Sequence, residues 1–595
     1  MAYNPLRSFW PYLKPYKQQV FVGLFLLIGS QAVTAAIPMI LKWAIDTAKF
    51  GLENGDLFNA ATDTITGTLS GDLAFYGSVM AGLAVIQWLT SFGMRWYISA
   101  MSRHVERDIR TLFVRHLVKL PMAFFQSQRV GDLMARALND VESIQRFMYH
   151  AFRMSLQATL SFFMSLVLMC LIDWELAIYS LAPMPVMVIS ARWVGRRMRN
   201  GYRRVQEQFA TMTSKIQENL SGIRVVKAYA RGARETDEFS DMNDEYVLRN
   251  RHLVNIRSLF YPFTALLNGV SMLVILWLGG LRVIDGALSL GAFVAFNTYL
   301  IRLSRPMMML GRIVDEQQRA EASMARIQAV LNAEPQDYGT IDPSADEVVG
   351  EIEFRNVSFT YDREPVLKNI NLKIPSGSKV ALVGRVGSGK STLARLIPRL
   401  MDVTEGDLLI DGQPVGEIPL SKIRSAIGYV PQETFLFSET LRENVAVGTL
   451  EVVNGKVEEA TEISQLAPDL DALPHRLETI VGERGVTLSG GQKQRTAIAR
   501  AVIREPKILI LDDALSSVDT NTEEEILRRL RGVMASRTTL VIAHRVSTVQ
   551  DADLIVVLEE GEIVEQGSHD ELVDFGGIYA DMYQRQHLAE ELDEM

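Results

Sequence analysis

Six apolar stretches occupy the chain before residue 320. Each approaches the length of about 20 residues that a helix rising about 1.5 Å per residue needs to cross a bilayer. The first runs from Val20 to Ile45 and the second from Leu73 to Ala100. A tight pair, 148–171 and 175–195, flanks Ile172-Asp173-Trp174. The fifth covers Leu259 to Gly280 and the sixth Leu288 to Leu303. The first run starts too late and continues too far to be a cleaved leader, so it reads as a span. Before it, Phe9 to Lys17 (FWPYLKPYK) mixes aromatics, prolines and lysines, as suits a segment lying in the interface.

Charge sets the expected orientation. Asp46, Glu53, Asp56, Asp63 and Asp72 follow the first span against Lys49 alone. Arg103, Arg107, Arg110, Arg115, Lys119, Arg129 and Arg136 follow the second, and Arg196, Arg197, Arg199, Arg203 and Arg204 follow the fourth. Positive segments stay inside, which places both termini and segments 101–147 and 196–257 in the cytoplasm. Those segments keep a helical period while turning polar, so the helices are expected to run on beyond the bilayer. Lys42 and Arg95 are charges within spans that either serve function or snorkel to a span end. Asn268 and Asn297 suit interhelical glue or a substrate path. Arg305 to Gly311 (RPMMMLG) gathers three thioethers, which serve packing or an adaptable ligand surface.

The pattern changes near residue 333. Asn332 to Gly350 is acidic, holds two prolines and lacks apolar periodicity, as a linker does. The expected division is a membrane domain over 1–331, a linker over 332–350 and a soluble domain over 351–595. Short β-like runs follow at 351–359, 371–374 and 379–384. The last leads into Gly384-Arg385-Val386-Gly387-Ser388-Gly389-Lys390-Ser391-Thr392 and then an apolar helix, the strand–loop–helix setting of a phosphate-binding loop. Its glycines let backbone N–H groups converge on phosphate oxygens, Lys390 reaches the outer phosphates, and Ser391 offers a hydroxyl to Mg²⁺. Ile508 to Leu511 reads as a buried strand of a sheet covered on both faces. It delivers Asp512 to the carboxyl end of that sheet, where it can hold Mg²⁺. Between loop and strand, Ser489-Gly490-Gly491-Gln492 opens a second helix N-terminus suited to anions. Two such sites for one nucleotide point to ATP clamped between two chains.

Composition supports the two-part reading. Of 595 residues, 48% are hydrophobic and 22% charged, a mixture suited to a membrane region joined to a soluble one. A net charge of −9 argues against a nucleic-acid partner. The single cysteine, Cys170, excludes an intrachain disulfide and reads as a small buried hydrophobe.

These motifs, in this order along essentially the whole chain, resemble the ATP-binding cassette family, in the form of a half-size exporter. The resemblance implies six long membrane helices followed by an α/β phosphate-loop domain with an antiparallel β subdomain and a helical tail. It implies that Tyr361 stacks on adenine, that Gln432 touches Mg²⁺ and the attacking water, and that His544 contacts the terminal phosphate. Gly482-Glu483-Arg484-Gly485 resembles an exporter loop that contacts the membrane domain. Ser516, Ser517 and Asp519 match the loop crossing the cassette interface. Residues 124–133 and 218–230 resemble the two cytoplasmic turns that dock onto cassettes.

Position 513 departs from the pattern. The family usually carries a glutamate there to polarise water, whereas this chain has Asp513. The lost methylene withdraws the carboxylate by about 1.5 Å. The expectation is a chain that binds Mg–ATP but hydrolyses it slowly at its own site. It resembles the degenerate subunit of heterodimeric multidrug-type exporters, paired with a different half-transporter that carries glutamate. Expected cargoes are small amphiphiles, drugs, lipids or peptides, with lipids also as surrounding partners and a bacterial inner membrane as location. A homodimeric exporter or lipid flippase is the alternative within transport, and an ATP-gated regulator or channel-like protein the alternative outside it.

Overall fold

The computed structural model describes all residues except 1–4, 54–62, 340–346, 362–363, 450–454, 483–484, 486–487, 519, 544 and 595. Of helical residues 5–8, 51–53, 63–70, 191, 261, 304–312, 520–521, 547 and 589–594 it describes the backbone alone. Two compact units result, Met1–Val118 with Val130–Ala333, and Lys119–Arg129 with Glu334–Met595.

The first unit is helical. Pro5–Leu13 is a short helix whose Phe9 is buried against the Phe147 ring, centroids 5.4 Å apart, while Trp10 is exposed. Six long helices follow: α1 (Lys17–Glu53), α2 (Asp63–Leu117), α3 (Val130–Ile172), α4 (Trp174–Ser221), α5 (Gly232–Ile284) and α6 (Leu290–Leu331). Among the described residues, five of them, all but α6, are long and apolar enough to cross a membrane. Among the described residues the apolar part of α6 is Leu290–Leu303, within a helix that continues to Leu331. Arg302 near its end, and Arg305 and Arg312 after it, dilute the apolar pattern.

Helices α2 to α5 do run far past their apolar stretches, as the periodicity of their polar segments predicts. Where they reverse, two short helices form, Met122–Ser127 after Pro121 and Ile223–Ala228 after Gly222. Ala230 closes the second turn in a left-handed conformation at φ 51. The first turn belongs to the second compact unit, where the Lys119 carbonyl accepts from the Gln336 amide at 2.8 Å.

Polar contacts pin the helices to each other. Asp46 of α1 caps α6, accepting from Ser289 Oγ at 2.7 Å and from the Gly291 amide at 2.8 Å. A Cβ on Gly291 would penetrate the Lys42 carbonyl, so only glycine permits this approach. The buried Tyr299 hydroxyl donates to the Ala35 carbonyl at 2.7 Å. At the α3–α4 turn, Arg282 pairs with both Asp173 and Glu175. In α3, residues 136–140 widen into a π-turn, and Asp140 there accepts from Arg326 at 2.8 and 2.6 Å and from Ser323 at 2.9 Å. Lys42 is half-buried and Arg95 exposed, while Asn268 and Asn297 are both half-buried. Cys170 is exposed, against the expectation of burial. An apolar run destined for a membrane has no need to hide every small residue inside protein.

The second unit holds two sheets. An antiparallel sheet takes the order β2 (Glu364–Ile374), β1 (Ile352–Tyr361), β4 (Glu405–Ile410), β5 (Gln413–Pro414). The other has six strands in the order β10 (Glu562–Gly567), β9 (Leu554–Glu559), β3 (Lys379–Val383), β8 (Thr538–Ile542), β7 (Ile508–Asp512), β6 (Ile427–Val430). Its pairs are parallel except at the β10 edge. Every residue of β7 and β8 is buried, as strands covered on both faces must be.

Replacing Gly291 with valine should cost about 3 kcal/mol or more through overlap with backbone. Gly82→Ala, which adds a Cβ into open space, should be near neutral. Thermal unfolding of the two variants in detergent checks this contrast.

Candidate functional site

Strand β3 ends at Val383 and helix α7 begins at Lys390 (Lys390–Leu396), leaving six residues to curl between them. Gly384, Gly387 and Gly389 take φ of 144, 86 and 102, values that L side chains resist. A Cβ at Gly384 would strike the Leu558 carbonyl, and one at Gly389 would sit 2.7 Å from a Leu367 methyl. The loop is therefore a backbone cradle with no room for side chains at those points. Lys390 folds back into it, donating to the Gly384 and Arg385 carbonyls at 2.7 and 2.8 Å. Burial lowers its pKa, and nearby Asp512 and Asp513 pull it back up. Val386 is exposed at the rim, and Ser388 and Thr392 are buried.

Strand β7 brings the acids to this cradle, and β6 brings a phenol beside them. Asp512, the last residue of β7, has no exposed surface and accepts from Ser391 Oγ at 2.8 Å. Tyr429 on β6 approaches its other oxygen at 3.4 Å. Burial raises the Asp512 pKa above the usual carboxylate range, against the pull of Ser391, Arg395 and Tyr429. Burial likewise pushes the Tyr429 phenol up to about 12, so it stays a neutral donor. A buried carboxylate beside a hydroxyl, both hard oxygens, fits Mg²⁺ better than it fits an empty site.

Asp513 leaves the strand in the left-handed region at φ 51, its amide donating to the Ile542 carbonyl at 2.9 Å. Aspartate tolerates that conformation better than most residues. Its carboxylate accepts from Gln432 Nε2 at 3.4 Å, a long bond. Lys390, Ser391, Gln432, Asp512 and Asp513 line one cleft of about 240 Å³, together with the glycine loop.

Other expected site residues stand apart from that cleft. Tyr361 ends β1, packs edge-on to Phe359 with centroids 4.7 Å apart, and donates to Met401 Sδ at 3.0 Å. It is not among the residues lining the cleft. Ser489 caps helix α8 (Gly490–Val502), accepting from the Gln492 amide at 3.2 Å, while Gln492 Oε1 accepts from the Ser489 amide at 3.0 Å. These four residues, 489–492, also lie outside this chain's own cleft. His544, Asp519, Glu483 and Arg484 lie outside the described residues.

Two contributors escaped the sequence reading. One is Tyr429, whose place in a short apolar strand hides its polar end. The other is Gln494, buried on α8. Its Nε2 donates to Ser516 Oγ at 3.0 Å and its Oε1 accepts from the Ser517 amide at 2.9 Å. A glutamine two residues beyond Gln492, on the inward face of an amphipathic helix, was the available signal.

Residues 20–307 match the family model described as "ABC transporter transmembrane region", and residues 367–516 match "ABC transporter". The chain is 33% identical over 590 residues to a Bacillus subtilis (strain 168) protein named "Probable multidrug resistance ABC transporter ATP-binding/permease protein YheI", covering 98% of each. It is 34% identical over 589 residues to the ATP-dependent lipid A-core flippase of Syntrophus aciditrophicus (strain SB), covering 98% of this chain and 94% of that one. Its fold is similar to a solved structure, "Structure of a bacterial Atm1-family ABC exporter with ATP bound", at TM-score 0.77 and 28% identity over 96% of this chain and 98% of that chain.

The raised Asp512 pKa has a defined sign. Protonated Asp512 is easily buried, so the stability it gives is full below the usual carboxylate pKa of about 4 and is lost as pH rises through its raised value. Asp512→Asn should therefore match wild type near pH 4 and melt progressively higher than it toward neutrality. Nucleotide-free thermal melts across that range test this.

Proposed function

The chain belongs to the ATP-binding cassette transporter family, is an integral membrane ATP-hydrolysing transporter, and from that premise we propose that it is one half of an exporter of small amphiphiles whose own ATP site turns over slowly. The observation that carries the proposal is the cleft itself. Lys390, Ser391 and Asp512 are in place to bind nucleotide, while the acid at 513 is an aspartate held 3.4 Å from Gln432. In this reading the Lys390 ammonium leaves its loop carbonyls for the outer phosphates. Ser391 and Asp512 hold Mg²⁺, which neutralises phosphate charge when bound. Asp513 orients and deprotonates water, at a reach one methylene shorter than a glutamate's.

The second phosphate-facing element comes from the partner. Residues 489–492 lie outside this chain's cleft and present a capped helix N-terminus with converging amides. A different half-transporter carrying glutamate at the equivalent position would then own the fast site, completed by this chain's Ser489–Gln492. Tyr361 stacks on adenine and His544 meets the terminal phosphate. All six long helices cross the membrane, with α6 completing its crossing through Arg305–Gly311. The Arg-rich extensions lie on the cytoplasmic side of a bacterial inner membrane. ATP closure then biases the membrane helices from inward- to outward-facing by its differential affinity for the closed state. The lipid A-core flippase and the multidrug-type relative both suit an amphiphilic cargo.

Purified wild-type chain alone should hydrolyse ATP slowly, and Asp513→Glu should raise the rate by about 100-fold, the scale of a misplacement of about 1 Å. Trapping of labelled ATP should be equal in the two. Hydrolysis by the lone wild-type chain as fast as that of Asp513→Glu would instead establish a competent homodimer. Vesicle uptake of dyes, labelled lipids and peptides, run with the chain alone and with any co-purifying half-transporter, tests export. Conductance without coupled ATP turnover would replace export with gating.

A further inference from the structure

Helices α4 and α5 pack against each other closely beyond their apolar stretches. At Gly201 they leave little room for a side chain, since a Cβ there would lie 2.8 Å from a Leu253 methyl. Beside it the two helices border an open cavity of about 350 Å³, room for roughly ten waters, with Arg197, Arg204 and His252 exposed. Arg197 and Arg204 line it from α4, two helical turns apart on one face. Arg249 and His252 line it from α5, with Leu248 and Ile256 as an apolar flank.

Among the described residues, the charge in this cavity is neutralised only at Arg249. Glu245 is engaged by Arg249 at 2.6 Å and Glu207 by Arg203 at 3.6 Å. Arg249 also donates to the Arg204 carbonyl at 3.0 Å, which holds it against α4. Among the described residues no carboxylate pairs with Arg197, Arg204 or His252. Arg197 instead lies over the Trp193 ring at 4.2 Å. That tryptophan is one turn nearer the apolar run and suits the aromatic belt of a membrane interface. Arg197 to Arg204 spans about 10 Å of helix, so the cavity begins at the level of lipid headgroups and opens inward.

The geometry points to this α4–α5 cavity as a binding site for the phosphate headgroup of an anionic phospholipid of the cytoplasmic leaflet. Arginine guanidinium forks match phosphate oxygens in pairs, and a basic pocket between helices on the cytoplasmic side is where such headgroups lodge. Leu248 and Ile256 offer an apolar wall to the glycerol and first acyl carbons. A free phosphate would use the same arginines but gain nothing from that wall, and the two sources separate on this difference. The inference rests on the cytoplasmic placement of segment 196–257 proposed above. It does not depend on nucleotide or on export, so its test is run without either.

Full-length protein is reconstituted in nanodiscs of phosphatidylcholine alone or mixed with phosphatidylglycerol, re-extracted in mild detergent, and its retained lipid quantified by mass spectrometry. Wild type should keep phosphatidylglycerol in preference to phosphatidylcholine. Arg197→Glu with Arg204→Glu should lower that retention by about tenfold or more, the scale of losing charge-assisted hydrogen bonds. Arg204→Gln alone, which spares the Trp193–Arg197 stack, should lower it partially and keeps the test open if the double variant folds poorly. Arg251→Glu, an exposed α5 cation outside the cavity, should leave it unchanged. Millimolar inorganic phosphate should not displace the lipid. Equal retention in wild type and Arg204→Gln would overturn the site, and displacement by inorganic phosphate would overturn the lipid as its ligand.

Discussion

A carboxylate with no exposed surface sits at the centre of the cassette, and its burial constrains everything around it. Asp512 can be charged there only with donors at hand, and Ser391 Oγ at 2.8 Å is the nearest. That bond ties the end of β7 to the first turn of α7, so strand and loop must keep register for the acid to be tolerated. The parallel pairing of β7 with β6 and β8 provides this register, placing Asp512 opposite Ile542 and bringing Tyr429 to its second oxygen. The cradle of Gly384, Gly387 and Gly389 then has one place to be, directly before that same turn.

The membrane unit solves a different problem. Its helices gain little from burying apolar surface against each other within lipid, so contact is specified by hydrogen bonds and small residues. Asp46 on the α6 N-terminus, Gly291 against the Lys42 carbonyl, and Tyr299 on the Ala35 carbonyl all join α1 to α6. Beyond the apolar stretches, the bidentate Arg326–Asp140 pair continues the same logic in a more polar setting.

Legibility from sequence followed from how strict each physical demand is. The phosphate loop was readable because three glycines at fixed spacing answer three positive-φ positions, two of which also leave no room for a Cβ. Helices α1 to α5 were readable because a span must be apolar over its whole length. The apolar part of α6 was less so, since arginines interrupt it from Arg302 onward. Cys170 misled because an apolar run looks the same whether it faces protein or not. The π-turn at Asp140 leaves no trace in hydropathy, and Tyr429 reads as one more strand aromatic. Gln494 was passed over because its partners, Ser516 and Ser517, are distant in sequence and meet it only in the fold.

Gln494 has a consequence for timing. Its amide grips the loop that follows Asp513, and it stands on the same short helix whose capped N-terminus lies outside this chain's own cleft. A helix so tied cannot be pulled at its tip without the pull reaching the loop beside Asp513. If a partner's nucleotide sits on the tip of that helix, as proposed, its arrival is felt in the loop beside Asp513. Two sites mounted on such a linkage would not run independently.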